Sequence, residues 1–254
     1  MSIFEFAFDQ PDLATRLQYL RSTVGLAVLV FVLSPSYGSF YREEADALAR
    51  SLGKPTSWAS RRHQELRGAT AILAALVLLG GSHPLLLASL VVAFATLDRS
   101  VANTAPTTPN NTFHVHVFAL GTLAATVAQL ADAPAAASFA FTAMQVQIAC
   151  VYFFAGVAKF RVGGLEWFRG RTLRAMVALR GTRLGRSAFA NPRMAALASV
   201  AAVTLELSAA AAICWPAAHP WLAAALISFH VGVFATLRIP FWHLWIFFPA
   251  LLVA

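Results

Sequence analysis

The sequence is short of charge, of cysteine and of acids in particular. Asp, Glu, Lys and Arg make up 12% of its 254 residues, about half of the roughly 25% in a soluble domain. No polar stretch is long enough for a separate water-soluble domain. The chain therefore reads as one integral membrane domain over 1–254, with no extramembrane C-terminal domain. Only two cysteines are present, Cys150 and Cys214. Both lie in apolar runs, which argues against a disulfide framework and predicts buried small hydrophobes. A glycine-rich phosphate loop, a serine-nucleophile elbow, a His-Glu-x-x-His zinc pattern and a carboxylate–histidine di-iron pattern are all missing. His114 and His116 are two residues apart, on different faces of a helix, so no metal site is expected. Eleven acids against 19 Lys and Arg leave a formal charge of +8. The basic residues sit between apolar runs, without the aromatic interleaving of an RNA binder. The expected partner is thus the membrane lipid surface and not nucleic acid. The N-terminal "MSIFEFAFDQPDLATR" carries acids before any base and lacks the basic start of a secretory signal. It is expected to remain and to lie at the interface.

What the chain has is apolar length: 59% of its residues are hydrophobic. A membrane-spanning helix needs about 20 such residues. Leu17 to Leu33 is the first candidate, with Arg21 expected to snorkel. A polar segment follows, with a surface helix at Arg42 to Leu52. The apolar run to Leu97 is too long for one span and is split at "GGSHP", Gly80 to Pro84. Its first half starts near Gln64. Further helices are expected at His114–Leu130, Ala135–Phe160, Ala195–Trp215, Trp221–Leu237 and Phe241–Ala254. A basic connector, Arg161 to Arg193, carries an amphipathic helix from about Trp167 to Leu179. The fold class is all-α: a polytopic transmembrane bundle of about eight helices with short interfacial amphipathic helices, placed in the cell membrane. All but two of the 19 Lys and Arg fall in alternate loops. That alternation supports the helix count and puts the connector on the cytoplasmic side.

The fifth helix ends in "VYFFAGVAKF". On a 3.6-residue period Gln145, Ala149, Tyr152, Gly156 and Lys159 share one polar or small face. Such a face admits a neighbouring helix or a ligand. A lysine at a helix end ordinarily snorkels to headgroups. A lysine turned inward and stripped of water would instead be a neutral amine able to take a proton. Spacing alone leaves both open. Glu206, in "VTLELSAAAAICW", is a lone carboxylate in an apolar run. It is either functional or a packing acid paired with a connector arginine. His230, in "ISFHVGVF", is a lone histidine of the same kind. Asn110 and Asn111 are placed to cap the fourth helix.

Several segments, in order, resemble the vitamin K-dependent γ-carboxylase family, whose bacterial form is the HTTM domain. They are "LDRSVANTAPTTPNNTF", "VYFFAGVAKF" followed by "EWFRG", "LELSA" and "SFH". Together they cover roughly Leu97 to Ala254. The resemblance implies a membrane cavity for reduced vitamin K or a related lipid quinol, with O2 and CO2 as co-substrates. Lys159 would be the base, and Glu206, His230 and His114 would line the cavity. Asn110, Asn111, Gln145, Tyr152 and Trp167 would contact substrate or cofactor. The family's histidine follows its Asn pair; that place falls at Asn111–Thr112 without a gap and at His114 with a two-residue gap. The family's carboxylases also carry a large C-terminal region that this sequence lacks. Three functions follow as expectations. The first is a carboxylase- or epoxidase-like enzyme acting on a peptide or small substrate. The second is a factor that matures a secreted peptide toxin with a small membrane or secreted partner. The third is a non-catalytic bundle.

Overall fold

A computed structural model describes residues 10, 12–34, 51, 62–102 and 112–253. Among them every regular element is helical, as expected. The surface helix at Arg42–Leu52, the N-terminal segment before Gln10 and both Asn110 and Asn111 lie outside the described residues. The chain divides into two compact units, one of residues 8–141 and one built on 142–254.

The first unit holds α1 (Leu13–Leu33), α2 (His63–Leu78), α3 (Pro84–Ala102), α4 (Phe113–Leu130) and the first turns of α5 (Pro134–Ala158). Leu17, Leu20, Val24 and Val28 recur every three or four residues along α1, and all are buried. Gly25 lies on α1 against α2. A Cβ there would sit 2.7 Å from Ala74 O and Leu78 N, so only a glycine lets the two backbones approach this closely. The predicted break at Gly80–Pro84 is present. Gly80 takes φ 104°, the Gly81 N–H closes on Leu76 O, and Pro84 opens α3. Arg21 has partners on a neighbouring helix. Its Nε donates to Thr126 Oγ1 (3.2 Å) and its Nη2 to Gln129 Oε1 (3.0 Å), both on α4. A fixed hydroxyl and amide thus hold the guanidinium against α4.

The second unit contains the rest of α5, a π-helical turn (Lys159–Gly163), α6 (Gly164–Phe168), α7 (Arg171–Arg180), α8 (Arg183–Ala188), α9 (Pro192–Ala212) and α10 (His219–Leu237). It ends with α11 (Trp242–Trp245) and a π-helical turn (Pro249–Val253). Asn191 caps α9 by accepting the Arg193 N–H (2.9 Å), with Pro192 in the first turn. Two expected elements are interrupted. The amphipathic helix from Trp167 breaks at Gly170, which takes φ 73°. The helix expected at Phe241–Ala254 is α11 plus the π turn. Pro249 lacks an N–H and its ring crowds the carbonyl four residues back, so the α-helical ladder cannot run through it. Cys150 is half-buried and Cys214 exposed; neither is in a disulfide, and the expected burial of Cys214 is not found.

Five segments among the described residues are long and apolar enough to cross a membrane: Leu13–Leu33, Phe113–Leu130, Pro134–Phe168, Pro192–Ala212 and Pro216–Leu237. Each falls where the apolar runs predicted a helix.

Candidate functional site

The polar stripe of α5 faces into the second unit along its length. Gln145 Nε2 donates to Leu251 O (2.7 Å), a carbonyl in the C-terminal π turn. Ala149 is buried. The Tyr152 hydroxyl bonds to His230 Nε2 of α10, and the rings lie 5.7 Å apart. Gly156 packs on α9, where an added Cβ would meet Leu207 at 3.0 Å and Glu206 Cβ at 3.3 Å. Lys159 Nζ then reaches both oxygens of Glu206, at 2.5 and 2.7 Å. The period read from sequence is therefore the line along which α5 meets its neighbours.

The Lys159 side chain turns to Glu206 on α9. It is 22% exposed and that of Glu206 4%. Lys159 Nζ is matched to a carboxylate. Glu206 pairs with this lysine and not with a connector arginine. Local sequence explains how the site closes. Lys159 opens the π turn, a geometry that often marks functional positions. Gly164 then takes φ 48°, ψ −142°, open in practice to glycine alone. Gly163 leaves room for Trp167, whose Cβ would lie 2.9 Å from a side chain there. The pair "GG" thus turns α6 so that the Trp167 ring lies 5.4 Å from Lys159 Nζ, a cation–π contact. Gly170 lets α6 settle on α9 beside Ala195 and Ala196.

Three buried polar atoms of this unit have no hydrogen-bond partner among the described residues: Trp167 Nε1, His230 Nδ1 and Ser199 Oγ. Such atoms are few in native proteins and call for an explanation.

Of the residues singled out in the sequence, Lys159, Glu206 and Trp167 converge. Tyr152 and His230 form a second contact on the same stripe, and Gln145 anchors the chain's last turn. His114 belongs to the first unit. It sits half-buried in the first turn of α4, its ring edge-on to Phe113. The histidine that sequence reading passed over is His116. Its Nε2 lies 3.1 Å from Asp98 Oδ2, which also accepts from Thr112 Oγ1 (2.9 Å), and its ring lies 4.5 Å from that of Phe94. The signal was the four-residue step from Thr112 to His116 opposite an acid late in α3. Asp98→Ala removes the shared acceptor of both groups. It is expected to cost about 2 kcal/mol, read as a lower unfolding temperature; an unchanged temperature would mean that the cluster does not tie α3 to α4. Among the described residues no three His, Cys, Asp or Glu side chains gather as metal ligands.

Long apolar helices carrying an enclosed ion pair define an all-helical, multi-pass membrane protein. The HTTM domain family matches residues 113–249, just over half of the chain, and the chain belongs to that family. This is the domain shared with vitamin K-dependent γ-carboxylase. No curated protein and no solved structure matches it.

Proposed function

We propose that the Lys159–Glu206 pair is the proton-transfer centre of a lipid-quinol-dependent oxygenase or carboxylase-type enzyme in a cell membrane. The observation that carries this reading is the enclosed bidentate contact of Lys159 with Glu206. An ammonium and a carboxylate together are neutral, so the pair can sit in an apolar bundle. It can still accept a proton: Lys159 passes one of its own to Glu206 and takes the incoming one, so the amine ends charged beside the anion that forms.

The donor set fits a phenolic cofactor. Acidic and basic groups lie side by side at Lys159–Glu206, and Tyr152–His230 offers a second hydrogen-bonding pair on the same stripe. A reduced quinone bound here would supply, with O2, the strong base that abstracts a substrate proton before CO2 adds. Lys159 and Glu206 would receive and hold the phenolic proton. The surrounding apolar helices would exclude water, which strengthens each electrostatic contact. The substrate is a peptide or a small molecule, and a small membrane or secreted partner would present it.

Purified protein given a reduced quinone, oxygen and bicarbonate is expected to yield quinone epoxide. Lys159→Ala should lower that yield by about 100-fold or more, the loss typical of a positioned acid–base group. Lys159→Arg separates this reading from a purely packing role. Arginine can keep the ion pair but does not give up its proton, so it should preserve stability and lose turnover. Full activity with Lys159→Arg would show that Lys159 is not the proton-transfer group; no epoxide from the wild type would leave a non-catalytic bundle.

A further inference from the structure

We propose that the corner where α8 crosses the end of α10 is a headgroup site for an anionic phospholipid. Arg183, Arg186 and Arg238 hold its phosphate, and Leu184 meets its acyl chains. The inference goes beyond the reading of Lys159–Glu206 and does not depend on it.

Residues 142–254 contain two acids, Glu166 and Glu206. Glu206 is taken by Lys159, and Glu166 by Arg169 and Arg171. Among the described residues of this segment no acid is left for Arg183, Arg186 and Arg238, all of which are exposed. The fold gathers these three. The Thr182 N–H donates to Thr236 O (2.9 Å) and the Thr182 hydroxyl to Ala235 O (2.7 Å). Gly185 packs on the same turn of α10, where a Cβ would lie 2.3 Å from Thr236 O. Arg183 follows Thr182, Arg186 follows Gly185, and Arg238 stands two residues beyond Thr236. Their long side chains can therefore reach one anion. An arginine at a helix C-terminus ordinarily answers the last carbonyls. Here those carbonyls have other donors: Thr182 serves Ala235 O and Thr236 O, and the Arg238 backbone N–H closes on Phe234 O (2.9 Å). The three guanidinium groups are thus not spent on capping α10.

The neighbouring residues favour a lipid as the source of the anion. The candidate membrane span Pro216–Leu237 ends one residue before Arg238, which sets the corner at headgroup level. Leu184, between Arg183 and Arg186, is 59% exposed, and Leu179 of α7 is 86% exposed. A leaflet offers phosphate and acyl chain a few ångströms apart, the pairing that interleaved arginine and leucine match. An acidic peptide from water would meet the arginines and leave the leucines bare. Guanidinium also suits phosphate because its planar fork donates two parallel bonds.

The test follows the unfolding temperature of the full-length protein in neutral detergent micelles titrated with phosphatidylglycerol or phosphatidylcholine. Phosphatidylglycerol should raise it saturably and phosphatidylcholine should not. In the triple variant Arg183→Gln, Arg186→Gln, Arg238→Gln the half-saturating fraction of phosphatidylglycerol should rise about 100-fold, from about fivefold per arginine near an anionic surface. The lipid-free unfolding temperature should stay at the wild-type value, because the three side chains are exposed. A second arm needs no substitution: in wild type, about 1 M salt should remove the phosphatidylglycerol effect, since exposed charges are screened. A triple-variant curve that overlays the wild type, equal effects of the two lipids, or an effect indifferent to salt would each overturn the site. Inorganic phosphate that reproduces the shift would make free phosphate the ligand and overturn the lipid. A shift with polyglutamate and none with phosphatidylglycerol would make the corner a docking surface for acidic protein, and the proposal wrong.

Discussion

Glu206→Ala is expected to destabilise the protein by about 3 kcal/mol and to abolish any proton-transfer activity. Removing one partner of a buried pair strands the other charge, at a cost of about 3–5 kcal/mol. The lower end applies because the Lys159 side chain keeps 22% of its surface exposed. Thermal unfolding of the detergent-solubilised protein measures the loss. The decisive comparison is the double variant Lys159→Met with Glu206→Leu. Replacing both charges by apolar groups of similar size is commonly neutral or stabilising, so the double variant should recover most of the stability and none of the turnover. A double variant as unstable as Glu206→Ala would mean that packing, not charge, governs this contact. Equal stability of Glu206→Ala and wild type would mean that the pair is not formed.

Gly170→Ala should be among the most damaging single-methyl changes in the second unit. Gly170 has φ 73°, where a side chain costs about 1–2 kcal/mol. A Cβ there would also lie 2.5 Å from Ala195 C and Ala196 N, and 2.9 Å from Ala195 Cβ. The first two are backbone atoms of α9 and cannot rotate aside. Overpacking of this kind adds about 1–3 kcal/mol, for a total of about 3 kcal/mol. The shift should propagate to function, because Gly170 sets how α6 lies on α9 and α6 carries Trp167. Unfolding temperature and epoxide yield should therefore fall together. A stable Gly170→Ala protein with unchanged epoxide yield would show that α6 is not held against α9 at this point. Gly68 is the internal control: nothing lies within 4 Å of a Cβ there. Gly68→Ala in α2 should cost nothing and could gain from the better helix propensity of alanine.

The fate of individual residues shows how far the chain could be read without its tertiary structure. The stripe from Gln145 to Lys159 was legible because a helix converts a 3.6-residue spacing into a face whatever surrounds it. Its partners were not. Leu251, His230 and Glu206 come from three distant segments, and nothing local in the chain encodes which of them meets α5. Arg21 was assigned to headgroups because its acceptors, Thr126 and Gln129, lie more than 100 residues away. The helix expected at Phe241–Ala254 is present as a short apolar helix over Trp242–Val253, in which Pro249 turns the ladder from α to π, an effect visible in the sequence but not weighed. His114 was favoured because the family's histidine falls there with a two-residue gap; the partner of His116, Asp98, sits on another helix and could not be read from spacing.

Composition and apolar periodicity by themselves determined the class: a chain so poor in charge, with apolar runs of helical length, can satisfy its backbone within a bilayer only by coiling into helices. The order of short motifs pointed to the family. Only the packed structure decided the state of Lys159. Whether an amine is free or matched to a carboxylate depends on which helix lies a few ångströms away, and contact across the fold, not spacing along the chain, settles that.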